Sequence, residues 1–108
     1  MALIATHTLT TAGTAPTFAA AAANDTAECG PGIYLEVRNT NAATRTVTIT
    51  VPGNLVTGDA YPDKVYTVAA LTGELRIPLL DVYKDPTTRT AALTWSATAD
   101  VTRAVVRA

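Results

Sequence analysis

Two stretches of this chain alternate between apolar and polar residues with a period of two, and this pattern restricts the fold more than any other feature. In residues 33–38, Ile33, Leu35 and Val37 alternate with Tyr, Glu and Arg, and residues 46–51 read TVTITV. Successive side chains of a strand point to opposite faces, so each stretch presents one face to a core and the other to water or a partner. The NTNAAT segment between them is short and rich in turn formers, which predicts an antiparallel hairpin.

Further segments carry the same β signal. We predict strands over 64–70, 74–80, 90–96 and 101–108. Pro78 has no backbone N–H to donate, so its strand is expected at a sheet edge or at a bend. Two glycines and two prolines in the segment VPGNLVTGDAYPD, residues 51–63, predict a long loop between the strand at 46–51 and the strand at 64–70.

The segment FAAAAAND at 18–25 is ambiguous, because alanine favours helices but five alanines give no amphipathic stripe. We favour an extended conformation. The fold class is therefore all-β, a small antiparallel β-sandwich or barrel of jelly-roll or immunoglobulin-like type with an N-terminal extended arm. Its 108 residues suit one domain, in which 1–24 form the arm or first strands and 25–108 the sandwich.

Charge and composition argue against several classes of partner. The net charge is −1 and the eight basic residues are scattered, whereas nucleic-acid binding needs a concentrated basic surface. We find no apolar run of membrane-spanning length, and the broken apolar stretches at the start lead us to expect mature sequence and not a signal peptide. Only 16% of the residues are charged, which hints at surfaces that become buried on assembly.

The residues that most often carry chemistry are few. His7 and Cys29 are the single histidine and cysteine, so one chain lacks both an internal disulfide and the soft ligands of a zinc site. Three acidic pairs, Asp25/Glu28, Asp59/Asp63 and Asp81/Asp85, lie where turns are expected and lack the spacing of a calcium loop. We expect no enzyme activity, no catalytic residue, no metal and no cofactor.

Aromatic and apolar residues outside the predicted core are the candidate contact residues. We assign Trp95 to the core beside Leu93. The segment 1–24 has no Asp, Glu, Lys or Arg, which suits an arm that lies over a neighbouring molecule. The candidate interface residues are Leu3, Ile4, Phe18, Tyr61 and Tyr83.

The order of these features resembles a family of small β proteins encoded by tailed bacteriophages. The resemblance spans about residues 15–107 and is most distinctive at LEVRN followed by TVTITV. The weaker matches are TFAAAAAND, VYTVAA, LRIPLL, YKDP and ALTWSATADVTRAVVR. The family pattern has Gly before the Asp of the alanine stretch, where this chain has Asn24; both tolerate unusual backbone angles.

The resemblance implies a structural virion protein, namely a capsid decoration or head-auxiliary protein. Such a protein would bind the major capsid protein on the capsid exterior, commonly as a homotrimer, after assembly in the host bacterial cytoplasm. The resemblance supplies no catalytic residues. Two alternatives remain open at the sequence level: a tail or head–tail connector protein, and an immunoglobulin-like binding module of another class.

Overall fold

Ten short strands and one turn of 3₁₀ helix form the regular structure of this computed structural model, which describes residues 2–13 and 15–108. The 3₁₀ turn is Asp81–Tyr83. The strands are β1 (Ala2–Leu3), β2 (Thr6–Thr8), β3 (Ala19–Ala20), β4 (Asp25–Glu28), β5 (Ile33–Asn39), β6 (Arg45–Ile49), β7 (Lys64–Val68), β8 (Gly73–Pro78), β9 (Thr90–Trp95) and β10 (Val101–Arg107).

The strands form two sheets that pack as a sandwich. The first sheet has the order β1-β4-β9-β6-β7, and the second has the order β2-β10-β5-β8, with β3 also paired to β10. Pairing is antiparallel except for β1 with β4 and β2 with β10. From β3 onward every connection except β6–β7 carries the chain from one sheet to the other. The all-β sandwich expected from the alternating pattern is confirmed.

The core between the sheets is built from the apolar face of each alternating strand. Leu35 and Val37 of β5 are fully buried, as are Val47 and Ile49 of β6. Each is a β-branched or leucine side chain, of the kind that packs well on a pleated surface. Trp95 is buried on the same side of its strand as Leu93, as predicted.

The predicted hairpin between β5 and β6 is wrong. The two strands lie in different sheets, where β5 pairs with β10 and β8 while β6 pairs with β7 and β9. The buried side chain of Asn39 stabilises the crossing: its Nδ2 donates to the carbonyl oxygens of Ala43 and Ala69, both at 3.0 Å, and its Oδ1 accepts from the Asn41 N–H. The turn-forming residues between β5 and β6 therefore form an arch that connects the two sheets, and not a hairpin.

The outward side of β5 also differs from the expectation of a uniformly exposed polar face. Arg38 is exposed, but Glu36 is only 4% exposed because it lies in the middle of the second sheet. Its Oε1 accepts from Nε of Arg76 on the neighbouring strand at 3.1 Å. The prediction for Pro78 is confirmed, since β8 is the edge strand of its sheet.

The alanine-rich segment is extended, as expected. Ala19 and Ala20 pair with β10, and the chain then turns into β4. An N-terminal extended arm is not confirmed, because the described start of the chain contributes strands to both sheets: β1 pairs with β4 and β2 with β10. The Ile4 side chain reaches the core from this segment.

Candidate functional site

The outward face of the first sheet is the most distinctive surface of the described residues. Strands β6, β7 and β9 lie side by side, and their registers place Thr48 beside both Thr94 and Val65, and Thr46 beside Thr67. Thr26 of β4 lies beside Ala92 on the same side of the sheet but is only 6% exposed. We call this surface the threonine face; its exposed and half-buried residues are Leu3, Thr46, Thr48, Thr50, Val65, Thr67, Ala92 and Thr94.

The threonine face carries no charged residue across its central rows. Its apolar members at the two sides are exposed, Leu3 at 57% and Val65 at 54%. Glu28 lies at its margin, where it accepts a 2.9 Å hydrogen bond from Arg107. A face of threonine hydroxyls and methyl groups offers short hydrogen-bonding groups without the desolvation cost of charges, which suits contact with another protein surface.

The outward face of the second sheet has the opposite character. Arg76 lies 3.1 Å from Glu36 and 4.0 Å from Glu74, and Arg38 lies 3.9 Å from Glu74. These four side chains form a network of alternating charge across β5 and β8. Such a network keeps a surface hydrated, so the sandwich has one charged face and one uncharged face.

A buried ionic contact joins the two sheets beneath the threonine face. Arg103 of β10 donates twice to Asp25 of β4, from Nε to Oδ2 at 2.9 Å and from Nη2 to Oδ1 at 3.1 Å. Oδ2 also accepts from the Trp95 indole N–H and from the backbone N–H of Ala22, each at 3.1 Å. Asp25 is fully buried, so every hydrogen bond that replaces its hydration comes from the protein.

The surroundings of Asp25 hold its carboxyl in the ionised form. Burial by itself raises the pKa of Asp25, and this is the largest single effect. The hydrogen bonds from Arg103, Ala22 and Trp95, together with the positive charge of Arg103, outweigh it and lower the pKa below its usual value. A buried carboxylate that accepts four hydrogen bonds from its own chain acts as a structural link between the sheets.

The five candidate interface residues fall in different environments. Leu3 and Tyr61 are exposed. Ile4 and Tyr83 are buried within the chain, and the Tyr83 hydroxyl lies 3.0 Å from that of Tyr66. Phe18 is half-buried beneath Arg38, whose guanidinium carbon lies 4.0 Å from the ring centroid. The structure does not bring these five together; Leu3 alone among them belongs to the threonine face.

The chemistry-bearing residues are also dispersed. Cys29 is buried, which raises the pKa of its thiol, and His7 lies half-buried in β2. No group of three or more potential metal ligands occurs within residues 2–13 and 15–108. Within the same part of the chain, none of the helical structure has the length and hydrophobicity of a membrane span.

One acidic pair was placed incorrectly. Asp25 and Glu28 lie in strand β4 and not in a turn. Asp85 does cap a turn, since its Oδ1 accepts from the N–H of Thr87 at 2.7 Å.

Sequence reasoning missed the link between Asp25 and Arg103 because 78 residues separate them. The available signal was a single Asp at the end of an uncharged, alanine-rich stretch, where an unpaired carboxylate is disfavoured.

Comparison with known proteins gives no neighbour for this chain. No family model, no curated protein and no solved structure matches it.

Proposed function

We propose that this chain is a structural virion protein that decorates the exterior of a bacteriophage head and stabilises the coat lattice. The observation that carries the proposal is the threonine face, an uncharged sheet surface on a sandwich whose other face is charged. The resemblance in residues 15–107 supplies the class of partner. In this role the threonine face packs against the major capsid protein, with no nucleic acid and no membrane involved.

The mechanism of stabilisation is mass action. A protein that binds the assembled lattice and not its dissociated subunits shifts the equilibrium toward the lattice by an amount set by its affinity and concentration. Chemistry at an active site is not required, and we propose no enzyme activity. Binding as a homotrimer would place three threonine faces in one complex and raise the effective affinity.

The proposal is tested by the copy number of this chain in purified particles, measured by quantitative mass spectrometry against the major capsid protein. Decoration requires a number of the same order as the coat protein. A complete absence from particles would contradict it.

A second candidate, a tail or head–tail connector protein, is favoured by the loop between β6 and β7. This loop is held as a small hairpin by hydrogen bonds from Leu55 N–H to Asp59 O at 2.7 Å and from Gly58 N–H to Leu55 O at 2.9 Å. Its tip presents the fully exposed side chain of Val56. In this second candidate function the loop contacts the next subunit of a ring, and the same measurement would find a handful of copies per particle.

A further inference from the structure

Strand β8 is an edge of the second sheet, and part of its backbone faces away from the sheet. The Leu79 N–H donates to the Ile33 carbonyl oxygen at 3.0 Å, so every second residue back from Leu79 bonds to β5. Glu74 and Arg76 fall between those residues, and their N–H and C=O groups therefore point to the free edge. No hydrogen bond among the described residues reaches these groups. They form a short edge to which another strand can be added.

The side chains along this edge combine charges of both signs with an apolar centre. Glu74 and Arg76 are two residues apart, with side chains 47% and 68% exposed. Leu75 between them is half-buried against the core. A groove beside the edge is lined by these three residues. Pro78 ends the free edge because it has no N–H to donate. The part of β8 that is open to pairing is therefore centred on Leu75.

A second copy of β8 fits this edge in one antiparallel register. On a two-fold axis through Leu75, Glu74 of each copy lies opposite Arg76 of the other, because an antiparallel pair reverses the order of residues. The free N–H and C=O groups of each copy then face those of the other. Leu75 meets Leu75 of the second copy in the closer type of cross-strand pair. An axis through residue 74 or 76 would instead place like charges opposite each other, which is unfavourable.

The same register continues the charge network of the second sheet. Within one copy, Arg38 lies beside Glu74 and Glu36 lies beside Arg76. In the pair, the row that begins with Arg38 and Glu74 goes on to Arg76 and Glu36 of the second copy, so the sign of the charge alternates along the whole row. Each Arg76, already 3.1 Å from Glu36, gains Glu74 of the other copy as a second carboxylate. Charge and hydrogen bonding therefore favour the same register.

We propose that the β8 edge is a self-association surface, at which two copies of this chain pair their β8 strands antiparallel around a two-fold axis through Leu75. The second sheets of the two copies then form one continuous sheet. The inference is independent of the decoration function, since the threonine face lies on the first sheet and stays uncovered. A two-fold contact does not build a homotrimer, so in a trimeric decoration protein it joins a copy in one trimer to a copy in the next.

The first test measures self-association of the purified chain by analytical ultracentrifugation from about 1 μM to about 1 mM, because one short strand per copy is a small interface. The species at high concentration should contain twice as many chains as the species at low concentration. Glu74→Arg places two arginines opposite each other at both ends of the pair and should raise the dissociation constant about ten-fold. The matched control Asp59→Arg makes the same change of charge in the exposed loop between β6 and β7 and should associate as the wild type does.

The second test determines the register by cross-linking. Leu75→Cys places two thiols opposite each other across the axis, where the Cα atoms of such a pair lie about 4.5 Å apart, within the range of a disulfide. Diamide is the oxidant and takes up the two electrons and two protons that the thiols lose. We expect a covalent dimer of Leu75→Cys on a non-reducing gel. Thr67→Cys, on the free edge of β7, is the control and should cross-link much more slowly, and Cys29 is buried in both variants.

The outcomes decide the inference without reference to virus particles. A single species over the whole concentration range would overturn it, and so would a Glu74→Arg protein that associates no more weakly than Asp59→Arg. Cross-linking of Leu75→Cys that is no faster than that of Thr67→Cys would also overturn it. None of these results bears on the decoration function, which the copy number in particles decides separately.

Discussion

Asp25 is the residue with the largest predicted effect on stability. Its carboxylate accepts four hydrogen bonds in a place that water does not reach, and Arg103 opposite it is itself largely buried. Removing one partner of such a pair leaves an uncompensated charge inside the protein. We expect Asp25→Ala to lower the free energy of unfolding by about 3 kcal/mol or more in urea titrations.

The control for this prediction is Asp59→Ala in the exposed loop. Its carboxylate accepts a 3.3 Å hydrogen bond from Thr57 at the surface, so its loss is expected to change stability by less than about 0.5 kcal/mol. Similar effects of the two variants would show that the buried link does not stabilise the sandwich.

Asp25 also predicts how stability changes in acid. Because its pKa is lower in the folded protein than in the unfolded chain, its contribution is present above the unfolded value, near 3.8, and is lost as the pH falls through the folded value. Stability should therefore decline below about pH 4 in the wild type. Thermal melts of Asp25→Asn from pH 6 to pH 2 should show a smaller decline than those of the wild type.

Tyr83 predicts how stability changes at alkaline pH. Burial raises its pKa to about 12, with a further contribution from the hydrogen bond to Tyr66. The folded state thus favours the protonated phenol, and this stabilisation is complete below pH 10 and lost as the pH rises toward 12. Tyr83→Phe should remove part of the stability loss between these pH values, as circular dichroism would record. An unchanged alkaline profile would contradict the prediction.

At the scale of elements, local patterns identified the six strands β5 to β10 but not their partners, and they missed β4, whose Asp25 and Glu28 were expected in a turn. The alternation in β5 and β6 was visible because burial on one side of a strand repeats every second residue. The pairing of β5 with β10 was not, since it joins residues such as Leu35 and Val105 that no local signal connects. For the same reason the threonine face could be predicted only in part. The TVTITV pattern predicts the outward threonines of β6, but the neighbouring strands β7 and β9 come from distant parts of the chain.

The crossing after β5 shows why the linker was misread. Asparagine and threonine are common in hairpin turns. The same residues also suit an arch between sheets, where backbone groups inside the protein need a side-chain hydrogen-bond acceptor and donor. Asn39 supplies both, because its amide bonds two carbonyl oxygens and one N–H. The burial of that amide, which decides between the two structures, depends on the whole fold.

Asn39 is accordingly the residue by which the arch is tested. Asn39→Ala leaves the carbonyl oxygens of Ala43 and Ala69 without this donor, and we expect it to lower the free energy of unfolding by about 2 kcal/mol in urea. Asn54→Ala in the exposed loop is the control and should have little effect. Equal stability of both variants would mean that the linker holds the arch without Asn39.

At the scale of the whole molecule, the sandwich is asymmetric in charge. The network of Glu36, Arg38, Glu74 and Arg76 lies on the second sheet, and the threonine face covers the first. In the proposed decoration role, the first sheet packs against a partner, and a central surface without charges suits that role.

This asymmetry gives a direct test of the docking surface. The double variant Thr67→Glu, Thr94→Glu places two carboxylates on exposed positions of the threonine face, and the fold should tolerate them because neither side chain is buried. In the proposed role, each new charge would have to be desolvated against the partner without an opposite charge to compensate it. We therefore expect an unchanged Tm and a loss of binding to particles that lack this chain, measured by co-sedimentation.

Thr87→Glu, in the exposed turn after Asp85, adds a charge elsewhere and should bind as the wild type does. Retained binding by the folded double variant would assign the contact to another face of the sandwich.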